Sequence, residues 1–330
     1  HISARGAPLP EQPAQVVRSA QRRVGLLESR TADVDGRDDR RVDVDIAIFD
    51  TGIDPRHPDL DVVGGVDCAV GRGWDDVEYH GTMVAGFAGA LDNTIGIAGI
   101  APGARLWSVR VADANGAITN SAWRCGLEWL NRHAKKIEVA NWSFGDGDPM
   151  MGPCGVVGGR VVEKLHSLTC KAVDAGVTIV AAAGNESVDV GLVSPGAWPE
   201  VITASAVAET DGLPGGLGPV SSCFPDQRDD AFAFFSNFGP AVDIAAPGVC
   251  MQSTYPGGLY AVNSGTSFSA PFVAGAAGLI KPQRIPRSGP RPTSGRRRAG
   301  ADRRGPGRVS RAPPERQWVL NLRRRIGLTS

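Results

Sequence analysis

Val44-Asp45-Ile46-Ala47-Ile48-Phe49, followed by Asp50-Thr51-Gly52, is the stretch on which the fold turns. A short apolar run that stops at a glycine turn reads as a strand buried on both faces. Residues 105–111, 139–142, 177–183 and 201–206 repeat that character. Between them the period changes. Met83, Val84, Phe87 and Leu91 recur three to four apart after His80, which predicts a helix from that histidine. Trp123, Leu127 and Leu130 form one stripe over 120–133, another helix falls within 154–175, and a last one starts at Ser267 with Phe272, Val273, Ala276 and Ile280 inside it. Strands alternating with helices imply an α/β fold with a mostly parallel central sheet and helices on both faces.

The 330 residues suffice for one large α/β domain or two modest ones, and 42% hydrophobic with 21% charged residues is ordinary for a soluble globular chain. No apolar run reaches the roughly 18 residues of a membrane span, so no membrane partner is expected. The first residue is histidine and no signal-like apolar core follows, which points to a processed or truncated start. Residues 1–40 are polar and weakly periodic, and are expected to form a mostly extended lead-in segment or pro-region remnant; the folded unit is expected over 41–280. The net charge of zero hides an asymmetry. Residues 281–330 carry 15 Lys or Arg against Asp302 and Glu315, which leaves 20 basic and 33 acidic residues in 1–280. That Arg/Pro-rich tail cannot bury enough apolar surface to fold, so it reads as disordered or as an artefact such as a shifted reading frame. It lacks the interleaved aromatics of a single-strand binder, so no specific nucleic acid is expected. Six cysteines without a CxxC pair argue against a zinc ribbon and for disulfides in an oxidising compartment. Sequence does not choose among the connectivities; the expected set is Cys154–Cys170, Cys223–Cys250 and Cys68–Cys125.

Three segments carry chemistry: Asp50-Thr51-Gly52-Ile53-Asp54, His80-Gly81-Thr82, and Gly265-Thr266-Ser267-Phe268-Ser269-Ala270-Pro271. A serine hydroxyl is a weak nucleophile until a base takes its proton and an acid holds that base. Asp50 ends a buried strand, where open α/β sheets place their sites. His80 opens a helix beside a glycine that lets a substrate backbone approach. His1 is terminal, His57 sits in a turn before proline, and His133 and His166 are expected on polar helix faces. Ser267 opens an Ala/Gly-rich helix whose first N–H groups are free to face an anion. Taken alone, Asp50 or Ser267 would be an ordinary helix cap. Asn185, after Ala181-Ala182-Ala183-Gly184, can donate a side-chain amide to an oxyanion, although Gly-Asn by itself is usually a turn.

These motifs, in the order Asp, His, Ser, resemble the subtilisin-like serine peptidases over residues 42–280. The resemblance implies a subtilisin-like three-layer sandwich and a serine endopeptidase, with Asp50, His80 and Ser267 as the triad and Asn185 as the oxyanion donor. It implies that Asn141-Trp142-Ser143-Phe144-Gly145 is an edge strand whose backbone, at Ser143, Phe144 and Gly145, pairs with an extended peptide. Ala182, Ala183 and Gly184 would form the opposite wall of a primary pocket of broad or apolar-leaning preference. Leu91-Asp92-Asn93-Thr94-Ile95-Gly96-Ile97 is similar to the family's Ca²⁺ loop. The implied ligands are Asp59 and Asn93 with the carbonyls of Leu91, Ile95 and Ile97; an N-terminal ligand has no placement from sequence. The implied partners are peptides or proteins, for a secreted, extracellular monomer. Met83 stands where the family usually has a second histidine, and the tail replaces its last helix and strand. The alternative function is a non-catalytic peptide-binding protein on the same fold. A lipase elbow, Gly-x-Ser-x-Gly, is not what surrounds Ser267.

Overall fold

A computed structural model of the chain describes residues 8, 13–69, 71, 73–145, 154, 161–281 and 287–288. In chain order the elements are α1 (Ser19–Arg23), β1 (Arg40–Arg41), β2 (Asp45–Asp50), β3 (Val62–Asp67), α2 (His80–Gly89), β4 (Arg105–Arg110) and α3 (Asn120–His133). Then come β5 (Val139–Trp142), α4 (Val161–Asp174), β6 (Thr178–Ala182), β7 (Ile202–Val207), β8 (Ile244–Pro247), β9 (Met251–Tyr255), β10 (Leu259–Asn263), α5 (Thr266–Ile280) and β11 (Arg287–Ser288). Seven strands form one sheet in the order β3-β4-β2-β5-β6-β7-β8, every pairing parallel. β9 and β10 make a separate antiparallel hairpin, and β1 pairs antiparallel with β11.

Two apolar cores explain the layers. On one face α2 and α5 pack Val84, Phe87, Phe268, Phe272 and Val273 against Ile46, Ile48, Val139 and Val180 of the sheet. On the other, α3 and α4 pack Trp123, Leu127, Leu130 and Leu165 against Phe49, Val109, Trp142 and Ile179. Ile46, Ile48 and Phe49 alternate between the two cores, so β2 is covered on both faces. α5 is apolar on nearly all sides because it lies under the sheet; its Pro271, inside the helix, offers no N–H to the Ser267 carbonyl, which accepts from Ser143 Oγ instead.

The chain leaves β2, builds β3 and β4 on one side, then crosses to β5 on the other. The order in which strands are added therefore switches sides at β2, and a crevice opens beyond its carboxyl end. Asp50 is the last residue of that strand.

Several expectations change. Residues 13–40 are not simply extended. They include α1 and a run of turns, and Leu26 and Ala32 are buried in the α2/α5 core. His166 does not lie on a polar face; it is buried, bonds Glu200 Oε2 at 2.9 Å and packs on Trp198. His133 stacks on Trp129. The last helix begins at Thr266, one residue early, with Gly265 as its cap. β3, β8 and the β9–β10 hairpin were not expected. The three cysteine pairs Cys68–Cys125, Cys154–Cys170 and Cys223–Cys250 are all bonded. Apart from 281, 287 and 288, the Arg/Pro-rich tail lies outside the described residues, and so does the segment at 1–7 and 9–12.

Candidate active site

The carboxylate of Asp50 reaches His80 Nδ1 with both oxygens, at 2.8 and 2.9 Å. A proton on Nδ1 leaves the lone pair of Nε2 free, which is the tautomer a general base needs. Asp50 Oδ1 also accepts from Thr51 N at 2.8 Å, which fixes the carboxylate against its own turn. The Gly81 Cα faces Gly52 O so closely that a Cβ there would lie 2.0 Å from it. Only glycine lets α2 start this near the end of β2. Burial alone would lower the His80 pKa; the charge and hydrogen bond of Asp50 outweigh it, with Glu78 and Asp76 adding to them, and the net pKa is raised. The ring also packs against Phe268, centroids 5.5 Å apart.

Ser267 is the second residue of α5. Its hydroxyl donates to the Ser143 carbonyl at 3.1 Å, and Ser143 Oγ donates back to the Ser267 carbonyl at 2.7 Å. No hydrogen bond joins Ser267 Oγ to His80, so the hydroxyl must swing from Ser143 toward Nε2. Such contacts commonly tighten only when substrate is bound. Asn185 is placed by its oxygen. Oδ1 accepts from Thr266 N at 2.9 Å and from Thr266 Oγ1 at 3.0 Å, while Thr266 Oγ1 accepts from Gly184 N at 3.1 Å. With Oδ1 committed, the Nδ2 hydrogens are the part of that amide left to donate outward, one residue from Ser267.

Ser143, Phe144 and Gly145 run on from the end of β5. That strand lies inside the sheet, so Asn141 and Trp142 are not on an edge; only the segment past the sheet has unpaired backbone to offer. Phe144 packs on Trp123 and Trp142. Across the crevice Ala182 closes β6, the side chains of Ala182 and Ala183 are buried, and Gly184 has φ +102°. A side chain at Gly184 would meet Asn237 Nδ2 at 2.3 Å. Asn237 organises this loop: it donates to Ala183 O and Glu186 Oε2 and accepts from the Glu186 and Val188 N–H groups.

A second group of predicted residues meets away from the crevice. Asp59 is wholly buried; Asn93 Nδ2 and Tyr260 Oη donate to it at 2.8 and 3.0 Å, and Ile97 N at 3.3 Å. Burial pushes its carboxyl up to about 7. Among the described residues the carbonyls of Leu91, Ile95 and Ile97 accept no hydrogen bond. Gln15, which no sequence signal marked, inserts into the same loop. Its Oε1 accepts from Asn93 N, its Nε2 donates to Asp92, and its backbone N donates to Thr94 O. Thr266, Asn237, Asp76 and Gln15 escaped the sequence reading. Thr266 stood inside a quoted motif; the other three belong to no apolar period or charge pattern.

Residues 42–298 match the peptidase S8 model of the subtilase family. The chain belongs to the subtilase family. Subtilisin NAT of Bacillus subtilis subsp. natto is 38% identical over 243 residues, 72% of this chain and 55% of that protein. Subtilisin Savinase of Lederbergia lenta is 38% identical over 239 residues, covering 72% of this chain and 76% of that protein. This subtilase thus spans about half the length of the first relative. Among solved structures, a cold adapted subtilisin-like serine proteinase aligns with TM-score 0.57 at 28% identity, over 78% of this chain and 83% of its own. The α/β three-layer sandwich is the fold the two share.

Proposed function

We propose that this subtilase is a serine endopeptidase. The observation that carries the reading is the Asp50 carboxylate bonded through both oxygens to His80 Nδ1 at the switch point of the sheet, with Ser267 on the facing helix N-terminus. Ser267 Oγ attacks the scissile carbonyl while its proton passes to His80 Nε2. The negative charge that develops on the carbonyl oxygen is met by Asn185 Nδ2 and the Ser267 N–H. His80 then gives its proton to the leaving amine, and an acyl-enzyme forms on Ser267. Water, deprotonated by His80, releases the acid product. An extended substrate adds to the backbone of Ser143, Phe144 and Gly145, with Ala182, Ala183 and Gly184 on the other side of its anchoring side chain.

A structural Ca²⁺ belongs to the same proposal. The residues fit it: a buried carboxylate that burial holds near neutrality, and three carbonyls without donors, are what a hard cation would satisfy. Asp59, Asn93, the carbonyls of Leu91, Ile95 and Ile97, and Gln15 Oε1 would hold the ion, which would supply charge balance and no chemistry at the scissile bond. Three disulfides support action outside the cell. The test is a fluorophosphonate probe with casein as substrate. Label on Ser267, lost together with cleavage in Ser267→Ala, is expected; an unlabelled protein, or a Ser267→Ala variant that cleaves casein as well as its parent, overturns the reading.

A further inference from the structure

We propose that Asp76, which takes no part in the proton transfers above, is a positioning residue that locks the start of α2 onto the end of β2 and so sets the Asp50–His80 geometry. The inference rests on the triad reading of Asp50, His80 and Ser267.

The bonds around Asp76 close a loop between the two elements. Its Oδ1 accepts from Thr51 Oγ1 at 2.9 Å and from Glu78 N at 3.0 Å. Its Oδ2 accepts from Thr82 N at 2.9 Å and from Thr82 Oγ1 at 2.5 Å. Thr51 Oγ1 in turn accepts from Gly81 N at 3.0 Å, and Thr82 Oγ1 accepts from Asp54 N at 3.0 Å. One carboxylate therefore grips the residue after Asp50 and the residue two beyond His80. Burial pushes its pKa up, yet four donors on two oxygens are what an ionised carboxylate accepts, and a protonated one would turn a donor toward one of them.

There is little slack in this corner. Gly52 has φ +117°, and a Cβ there would lie 2.4 Å from the Asp75 carbonyl. Ile53 N donates to Trp74 O, and Val77 N to Thr51 O. A shift of residues 74–78 would therefore reach both members of the pair. The groups that face the His80 ring are Asp50 from β2, Asp76 and Glu78 from the preceding loop, and the uncharged Phe268 ring from α5. Asp76 thus acts on His80 in two ways, through placement and through charge, and the two are separable.

Asp76→Asn removes the charge and turns acceptors into a mixed amide. It is expected to lower kcat on a peptide anilide by about tenfold to a hundredfold with KM within about twofold, because misplacement of a catalytic pair by an ångström is worth that much. The acid limb of its pH profile moves to lower pH, since a negative charge near His80 is gone. Thr51→Val keeps the charge and cuts the bridge; it lowers kcat as well but leaves the acid limb in place. Asp75→Asn, which removes a neighbouring exposed charge outside the loop of bonds, changes kcat by less than about twofold. Should Asp76→Asn not fold, the Thr51→Val kinetics decide the matter alone. Wild-type kcat in Asp76→Asn, whatever its acid limb does, or wild-type kcat in Thr51→Val, overturns the proposal. The proton resonance of His80 Nδ1–H bonded to Asp50 is read in parallel. If wild type takes no fluorophosphonate, the endopeptidase reading fails, while loss of that resonance in Asp76→Asn still supports the positioning role and its survival still refutes it.

Discussion

The ring of His80 is mostly shut off from water, and burial by itself would favour its neutral form; Asp50, bonded to it through both oxygens at 2.8 and 2.9 Å, reverses that balance. The sign for activity follows. The base must be neutral, and a raised pKa keeps it protonated to higher pH, so kcat/KM should fall on the acid side with a midpoint above the ordinary histidine value of about 6.5. A pH profile on a peptide anilide checks this, and Asp50→Asn should both lower the midpoint and reduce kcat. The oxyanion side makes a separate prediction. Asn185→Ala should lower kcat by about 10²–10³-fold with a small change in KM, the cost measured on a subtilisin itself when one oxyanion donor is removed. Asp50, His80, Ser267 and Asn185 were legible because each stands in a short motif at the end of a strand or the start of a helix. Asp76, Thr266 and Asn237 were not. The bonds that tie them into the site reach Thr51, Asn185 and Glu186, which lie 25, 81 and 51 residues away, and nothing local in the sequence marks such bonds.

At the scale of elements, α2 and α5 hold the site from below. Phe87 packs between Phe268 and Phe272, tilted to both, with centroids 5.5 and 5.4 Å away, and Phe268 also supports the His80 ring. Phe272→Ala should destabilise the fold by about 3–5 kcal/mol, the usual result of emptying a buried aromatic site, and a guanidinium midpoint would report it. Because Phe272 does not touch the catalytic ring, KM and kcat of the folded fraction should change little. The buried strands β2, β5, β6 and β7 announced themselves as apolar runs. β3 did not: its Gly64 and Gly65 break the pattern, and they are there because Cβ atoms would strike Trp107 at 2.8 Å and the Ser108 carbonyl at 2.3 Å. The β9–β10 hairpin also escaped notice, since Gln252, Ser253 and Thr254 look exposed in sequence but are buried. Ser253 Oγ and Thr254 Oγ1 donate to the carbonyls of Met83 and Thr82, which bind the hairpin to α2. Polar residues that satisfy a helix backbone carry no period.

At the scale of the molecule, the lead-in segment and the loop before Gly99 behave as one clasp. Gln15 joins Asn93, Asp92 and Thr94, Gly96 N donates to Pro13 O, and Asp92 accepts from the N–H groups of Asp35 and Gly36. Sequence alone made this segment look detached because few of its apolar residues enter the core, Ala20, Leu26 and Ala32 among them, and the bonds that dock it, such as Gln15 to Asp92 and Asn93, run to residues 77 and 78 positions away. If a Ca²⁺ sits in the loop with Gln15 as one ligand, ion binding and docking of the segment are linked, and whatever weakens one weakens the other. The ion should add about 2.7 kcal/mol at a hundredfold excess over its Kd, so a chelator should lower Tm and shorten the half-life of the purified enzyme at fixed temperature. Gln15→Ala removes one ligand and leaves the buried carboxylate of Asp59 in place. It should therefore keep full activity in excess calcium and need a higher calcium concentration for half-maximal protection against heating. Asp59→Asn should abolish the calcium dependence altogether, because the buried carboxylate that faces Asn93 and Ile97 from outside the loop loses its charge. A chelator that changes neither Tm nor half-life, or a Gln15→Ala variant with an unaltered calcium midpoint, would mean that the clasp is held by its hydrogen bonds alone.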